Sequence, residues 1–123
     1  AKAAVASLYA QGAESIAVVG TFSPLYPDHE IKIKSLTESE LGKNFPVSLS
    51  HEIGGIGILE RENSTLLNAA LRKPLEKGFK KLKQKILDLG IKAPLVLTQN
   101  NGTILPLEKA LEYPILTVSA GPT

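Results

Sequence analysis

The run Ser15 to Gly20, SIAVVG, sets the strongest limit on what this chain can fold into. Its consecutive apolar, mostly β-branched side chains leave no polar face, so a strand made of them must be covered on both sides. Just upstream, residues 1–12 are alanine-rich, with Val5, Leu8 and Tyr9 at helical spacing and Gly12 placed as a stop. A helix leading directly into a doubly covered strand predicts α/β layering. The two prolines and Ser23 between Thr21 and Glu30 make the next stretch a loop at the carboxyl end of that strand, where open α/β sheets hold ligands. Asp28 is expected to cap a helix from His29 to about Leu41, ended by Gly42. Pro46 to Ser50 reads as a second short strand, with His51 and Glu52 at its end.

Gly54, Gly55 and Gly57 fall close together but fit neither the P-loop nor the dinucleotide fingerprint, so a hinge or bent helix start is expected there. From Glu60 to Leu89 the pattern is helical, with Pro74 kinking the helix or opening a second one. Leu75, Phe79, Leu82, Ile86 and Leu89 form one apolar stripe. Lys73, Lys77, Lys80, Lys81, Lys83 and Lys85 crowd the remaining surface and read as a solvated face, since no aromatics interleave them. Gly90 closes the helix. The last quarter, from Pro94, then reads as strand, polar turn at Gln99–Gly102, short helix and a second strand at Ile115–Val118. With no repeat and no linker, residues 1–123 are expected to form a single α/β domain.

Composition narrows the function classes. A length of 123 residues supports one domain with a real core. The absence of cysteine removes disulfides, thiolate nucleophiles and sulfur metal sites. A net charge of +2 is too small for a dedicated nucleic-acid surface, and no apolar run reaches membrane-spanning length. A cytoplasmic protein is expected. The chain contains no methionine and stops where another element should begin, so a piece of a longer protein is expected.

Two His–carboxylate pairs are candidate chemistry: His29 with Glu30, and His51 with Glu52. Either an acid–base pair or a metal site is open to them, but adjacent residues face apart and cannot chelate as a unit. A metal would need His29 and His51 to converge, and no metal is expected. Serine catalysis lacks support, because Ser23, Ser50 and Ser119 sit in no G-x-S-x-G elbow. Gln99, Asn100, Asn101 and Gly102 are either a ligand-binding amide cluster or a plain Asn-Gly turn.

Three segments, GTFSPLYPDHE (20–30), SHEIGGIGILERENSTLLNAAL (50–71) and PLVLTQNNGTILPLEKALEYPILTVSAGPT (94–123), resemble the hydantoinase A/5-oxoprolinase family in that family's order. The resemblance rests on a Phe-Ser loop ending in His-Glu, a Ser-His-Glu-Ile stretch leading to Arg…Ser-Thr…Asn-Ala, a Gln-x-Asn-Gly loop and a terminal Gly-Pro. It implies an actin-like (ribonuclease H-like) ATPase fold, with helices layered on a mainly parallel sheet, and a place in the later part of the first of two domains. It implies ATP with Mg²⁺ for the whole protein, a small cyclic amide such as a hydantoin or 5-oxoproline as substrate, a missing second ATPase domain and room for a second subunit. Gln99–Gly102, His29, Glu30, His51 and Glu52 would then face the cleft, with Gly121, Pro122 and Thr123 near the nucleotide. Neither phosphate loop of that family is in this sequence, so the chain alone is expected to be inactive. Thr103 replaces the usual second glycine, Asn101 takes the usual acidic position and Ala120 replaces a serine. Those departures leave two alternatives open: a regulatory actin-like ATPase without ring opening, and an isolated α/β binding module.

Overall fold

The computed structural model describes residues 1–121, so the expectations placed on Pro122 and Thr123 lie outside the described residues. The chain divides into two compact units, Ala1–Ala70 and a second from Leu71 onward.

In the first unit, α1 (Lys2–Ala10) leads through Gly12, at φ +88°, into β1 (Ile16–Val18). β2 (Val47–Leu49) pairs with it in parallel, matching Ile16 to Val47 and Val18 to Leu49. Parallel strands need a crossover, and α2 (Asp28–Leu41) supplies it. The core is Val5, Ile16, Val18, Val47 and Leu49, with Ile33, Leu36, Leu41 and Phe45 packed against it. Tyr9 meets Phe45 edge to face at 6.0 Å between ring centroids. The expected strands and the α/β class are therefore present. Asp28 does not cap: Pro27 occupies that position, and Asp28 lies in the first helical turn, where its charge suits the helix dipole. His51 and Glu52 follow β2 within a single-turn helix, α3 (Ser50–Ile53).

The long helix α4 (Ile58–Asp88) begins in the first unit and runs through Pro74 as one element. Proline removes the donor that would meet the Ala70 carbonyl, and the division between units falls beside that residue. On the first half of α4 the buried residues are Arg61, Thr65, Asn68 and Ala69. Their i, i+4, i+7, i+8 spacing is a single helix face, but a mostly polar one. Asn68 donates to Ser48 on β2 (2.9 Å), and the Ser15 hydroxyl donates to the Ala69 carbonyl (2.6 Å). On the second half, Leu75, Phe79 and Ile86 are half-buried, whereas Leu82, and Leu89 just past the helix end, are exposed. Glu76 pairs with Lys80 at 2.5 Å and with Lys73 at 3.9 Å on the expected solvated face. No helix of the described residues is long and apolar enough to cross a membrane.

The second unit corrects the reading of the last quarter. β3 (Val96–Thr98) pairs antiparallel with β4 (Ile104–Pro106), so the expected mainly parallel sheet is one parallel pair and one hairpin. α5 (Leu107–Glu112) follows, and Pro114–Leu116 is a short 3₁₀ turn rather than part of a strand. Pro114 fixes φ and lacks a donor, which overrides the β preference of Ile115–Val118. The hairpin loop is Asn100-Asn101-Gly102. Gly102 N–H donates to the Gln99 carbonyl (3.0 Å), and Gln99 N–H donates to the Thr103 carbonyl (2.7 Å). Gly102 sits at φ +82° while both asparagines keep negative φ, which is a type I turn closed by a left-handed glycine. A Cβ at Gly102 would meet nothing within 4 Å, so backbone strain alone sets the cost of replacing it. Gly102→Ala is therefore expected to lower the unfolding free energy by about 1 kcal/mol, and Gly102→Asn by less, in urea denaturation.

Candidate functional site

Parallel pairing brings the carboxyl ends of β1 and β2 side by side, and the chain leaves both toward the same edge. Gly20 follows one strand and Ser50 the other. The crossover helix places Glu30 between them, in its first turn. Glu30 is 1% exposed. Its Oε1 accepts from the Gly20 N–H (2.8 Å) and the Ser50 hydroxyl (2.5 Å). Its Oε2 accepts from the His51 N–H (3.1 Å) and from His51 Nδ1 (2.6 Å). The Ser23 hydroxyl also bonds this carboxylate.

Burial pushes the Glu30 pKa upward, but the bonds from Ser50, His51, Ser23 and Gly20 together outweigh it and hold the group down to about 2. An ionised carboxylate only accepts, so His51 Nδ1 must carry a proton. In the neutral ring the Nε2 lone pair is then free, and among the described residues it has no hydrogen-bond partner. The His51 side chain is 18% exposed.

Arg61 on α4 closes the arrangement from below and is also 1% exposed. Nε donates to Ser50 Oγ (3.0 Å), Nη1 to the Gly55 and Ile56 carbonyls (3.1 and 3.0 Å), and Nη2 to the Gly20 and Thr21 carbonyls (2.7 and 3.1 Å). All the guanidinium donors are thereby used. Two glycines are required by close approach. A Cβ at Gly20 would lie 2.1 Å from Ser23 Oγ, and one at Gly54 would lie 2.9 Å from Arg61 Cγ. The glycine-rich stretch thus turns carbonyls toward a cation, which is the reverse of an anion-binding nest.

Beside Glu30 lies a cleft lined by Gly20, Thr21, Phe22, Ser23, Tyr26 and His29. Of the expected site residues, Glu30 and His51 come together, across chain positions rather than as neighbours. His29 lines the cleft, and among the described residues no hydrogen bond joins it to His51. Glu52 is exposed on α3. Among the described residues no cluster of three or more His or carboxylate groups could hold a metal ion.

The amide loop belongs to the second unit. Asn100 holds the 3₁₀ segment: its N–H donates to the Leu116 carbonyl (2.7 Å), Nδ2 donates to Ile115 (2.9 Å), and Oδ1 accepts from the Ser119 N–H (2.8 Å). Asn101 Oδ1 accepts from both N–H and Oγ1 of Thr103 (3.0 and 2.7 Å), and Gln99 Nε2 donates to Thr103 Oγ1 (3.0 Å). Gly121 lines a shallow groove with Leu75, Phe79, Leu97 and Thr98.

Arg61 and the bridging part of Ser50 were not assigned by sequence reasoning. The available signal was the spacing of Arg61, Thr65, Asn68 and Ala69, which marks a buried face once polar residues are allowed on it.

These features sit on an α/β scaffold whose polar residues gather at parallel strand ends. Residues 1–41 match the hydantoinase/oxoprolinase N-terminal region, and residues 61–123 match hydantoinase/oxoprolinase, the second match covering more than half of the chain. The chain belongs to the hydantoinase/oxoprolinase family. Comparison with curated proteins gives no match. Glu30 falls in the first matched segment and Arg61 opens the second, with Ser50 and His51 between them.

The low Glu30 pKa has a definite sign. Its folded value of about 2 lies below the ordinary 4.5, so its contribution is full above pH 4.5 and is lost as pH falls toward 2. With partial solvation allowed for, that contribution is on the order of 2 kcal/mol. The stability gap between wild type and Glu30→Gln in urea should therefore narrow by about three quarters of that amount between pH 6 and pH 2.5. Arg61→Lys keeps the charge but cannot span Ser50 and four carbonyls, so a loss on the order of 3 kcal/mol is expected in the same assay.

Proposed function

We propose that this chain is part of an ATP-dependent enzyme that opens a cyclic amide of the hydantoin or 5-oxoproline type, and that it contributes a wall of the substrate and nucleotide cleft. Family membership supports the cyclic amide, and the observation that carries the site is the Glu30–His51 pair, whose carboxylate is bonded by Gly20 and Ser23 of the cleft lining. In this reading the parallel β1–β2 unit is a portion of an actin-like ATPase domain. This chain walls the cleft, and the phosphate loops that grip ATP and Mg²⁺ belong to other parts of the protein. The Gly54–Gly57 stretch is occupied by Arg61, and the described residues offer no metal cluster. A second ATPase domain, a cytoplasmic location and a possible partner subunit go with the same reading.

Chemically, ATP would phosphorylate the amide oxygen, making the ring carbon a better target for water. The residues of this chain would then position the ring and handle protons. A regulatory ATPase without ring opening is the second reading, favoured by the loop amides: Asn100, Asn101 and Thr103 are engaged with one another and with residues 115–119. The two separate in one assay. The whole protein carrying this chain should release phosphate from ATP in proportion to added hydantoin or 5-oxoproline, with ring-opened product in equal amount. ATP turnover indifferent to either ring would replace the first reading with the second.

A further inference from the structure

The buried polar network is saturated almost everywhere. No buried side-chain nitrogen or oxygen among the described residues lacks a partner. Glu30 is bonded by Gly20, Ser23, Ser50 and His51, and Arg61 uses its whole guanidinium on Ser50 and backbone carbonyls. The atom left over is Nε2 of His51, on a ring that reaches solvent. Its other nitrogen is fixed at 2.6 Å to a carboxylate, which sets the tautomer and steadies the positive charge the ring would gain on protonation. The same carboxylate is bonded by Gly20 and Ser23, both lining the cleft.

We propose that His51 Nε2 is the proton acceptor of this site, taking the proton of the water that attacks the ring carbon, with Glu30 as its positioning residue. The assignment rests on the ring-opening function proposed above. As the water oxygen bonds to the carbon of the O-phosphorylated amide, its O–H bond breaks and the proton passes to Nε2. The C=N π pair moves to the ring nitrogen, and the imidazolium then returns the proton to that nitrogen. The new hydroxyl next gives up its proton as C=O forms and the C–N bond breaks, its electron pair and that proton going to the nitrogen. A second water hydrolyses the acyl phosphate left behind to carboxylate and inorganic phosphate. Nδ1–H stays with Glu30 throughout. The charged groups linked to the ring are Glu30 from α2, bonded directly, and Arg61 from α4, two hydrogen bonds beyond Glu30 through Ser50.

Three measurements test this. Long-range ¹H–¹⁵N correlation reads the tautomer directly, and the chain's only two histidines make assignment simple. His51 should show a protonated Nδ1 and an unprotonated Nε2 in the neutral ring; the opposite tautomer overturns the proposal. In the whole protein, His51→Gln can still donate to Glu30 but cannot take a proton. It should lower kcat on the order of 100-fold with KM for the ring little changed, and it should abolish the acid limb of the kcat–pH profile. Added imidazole should restore part of the activity of His51→Ala. A His51→Gln enzyme within a few-fold of wild type, with the acid limb intact, would sink the assignment even if the wild type opens the ring. Should the wild-type protein be inert toward both rings, the ring-opening function falls. The tautomer then decides the pair alone: Nδ1–H upholds Nε2 as a proton acceptor and Nε2–H removes it.

Discussion

A carboxylate kept ionised away from water organises the first unit. Removing such a group from solvent costs several kcal/mol, and nothing but well-placed donors offsets it. Glu30 obtains them from both strand ends, so the crossover helix is tied at once to the exit of β1 and the exit of β2. Arg61 performs the complementary task. Glu30 collects backbone N–H groups, those of Gly20 and His51, while Arg61 collects carbonyls at Gly20, Thr21, Gly55 and Ile56. The two charges are joined through shared partners. Gly20 gives its N–H to one and its C=O to the other, and the Ser50 hydroxyl donates to Glu30 while accepting from Arg61.

That division has a consequence for the family pattern. The two matched segments, 1–41 and 61–123, leave a stretch between them that holds Ser50, His51 and the glycines. Glu30 stands on one side and Arg61 on the other, so the network is one place where the matched segments meet in the fold. The glycines serve the same end. Gly54 lets the Arg61 stem approach, and Gly20 leaves room for Ser23 beside the carboxylate.

Much of the scaffold was legible in the sequence because its signals are local. SIAVVG becomes β1, the glycines at 12, 42 and 90 all adopt positive φ, and PVSLS contains β2. The failures share one cause, which is that tertiary partners decide what local preference leaves open. Ile115–Val118 is β-prone, yet Asn100 reaches residues 115–119 and holds them as a turn. Ile104–Pro106 falls where the sequence reads as a short helix, and pairing with Val96–Thr98 makes it a strand instead. Periodicity of apolar residues could not find the buried face of α4, since Arg61, Thr65 and Asn68 are polar. The candidate site was half legible. Glu30 and His51 were each singled out, but with their sequence neighbours as partners, and a distance of 21 positions between them is invisible to adjacency.

The two polar clusters differ in what they leave available. Around the hairpin, Thr103 stands where the family pattern has a second glycine, and it gives N–H and hydroxyl to Asn101 while accepting from Gln99. A hydroxyl there replaces conformational freedom with bonds internal to the loop, and Asn100 is committed to residues 115–119. Those amides are mostly spent on shape. Around Glu30 the bonds are just as complete, but they converge on a histidine ring with a second nitrogen still unused. Rigid positioning and one free, titratable atom are what proton transfer requires of a protein. The physical case for chemistry is therefore stronger at the strand ends of the first unit than at the amide loop.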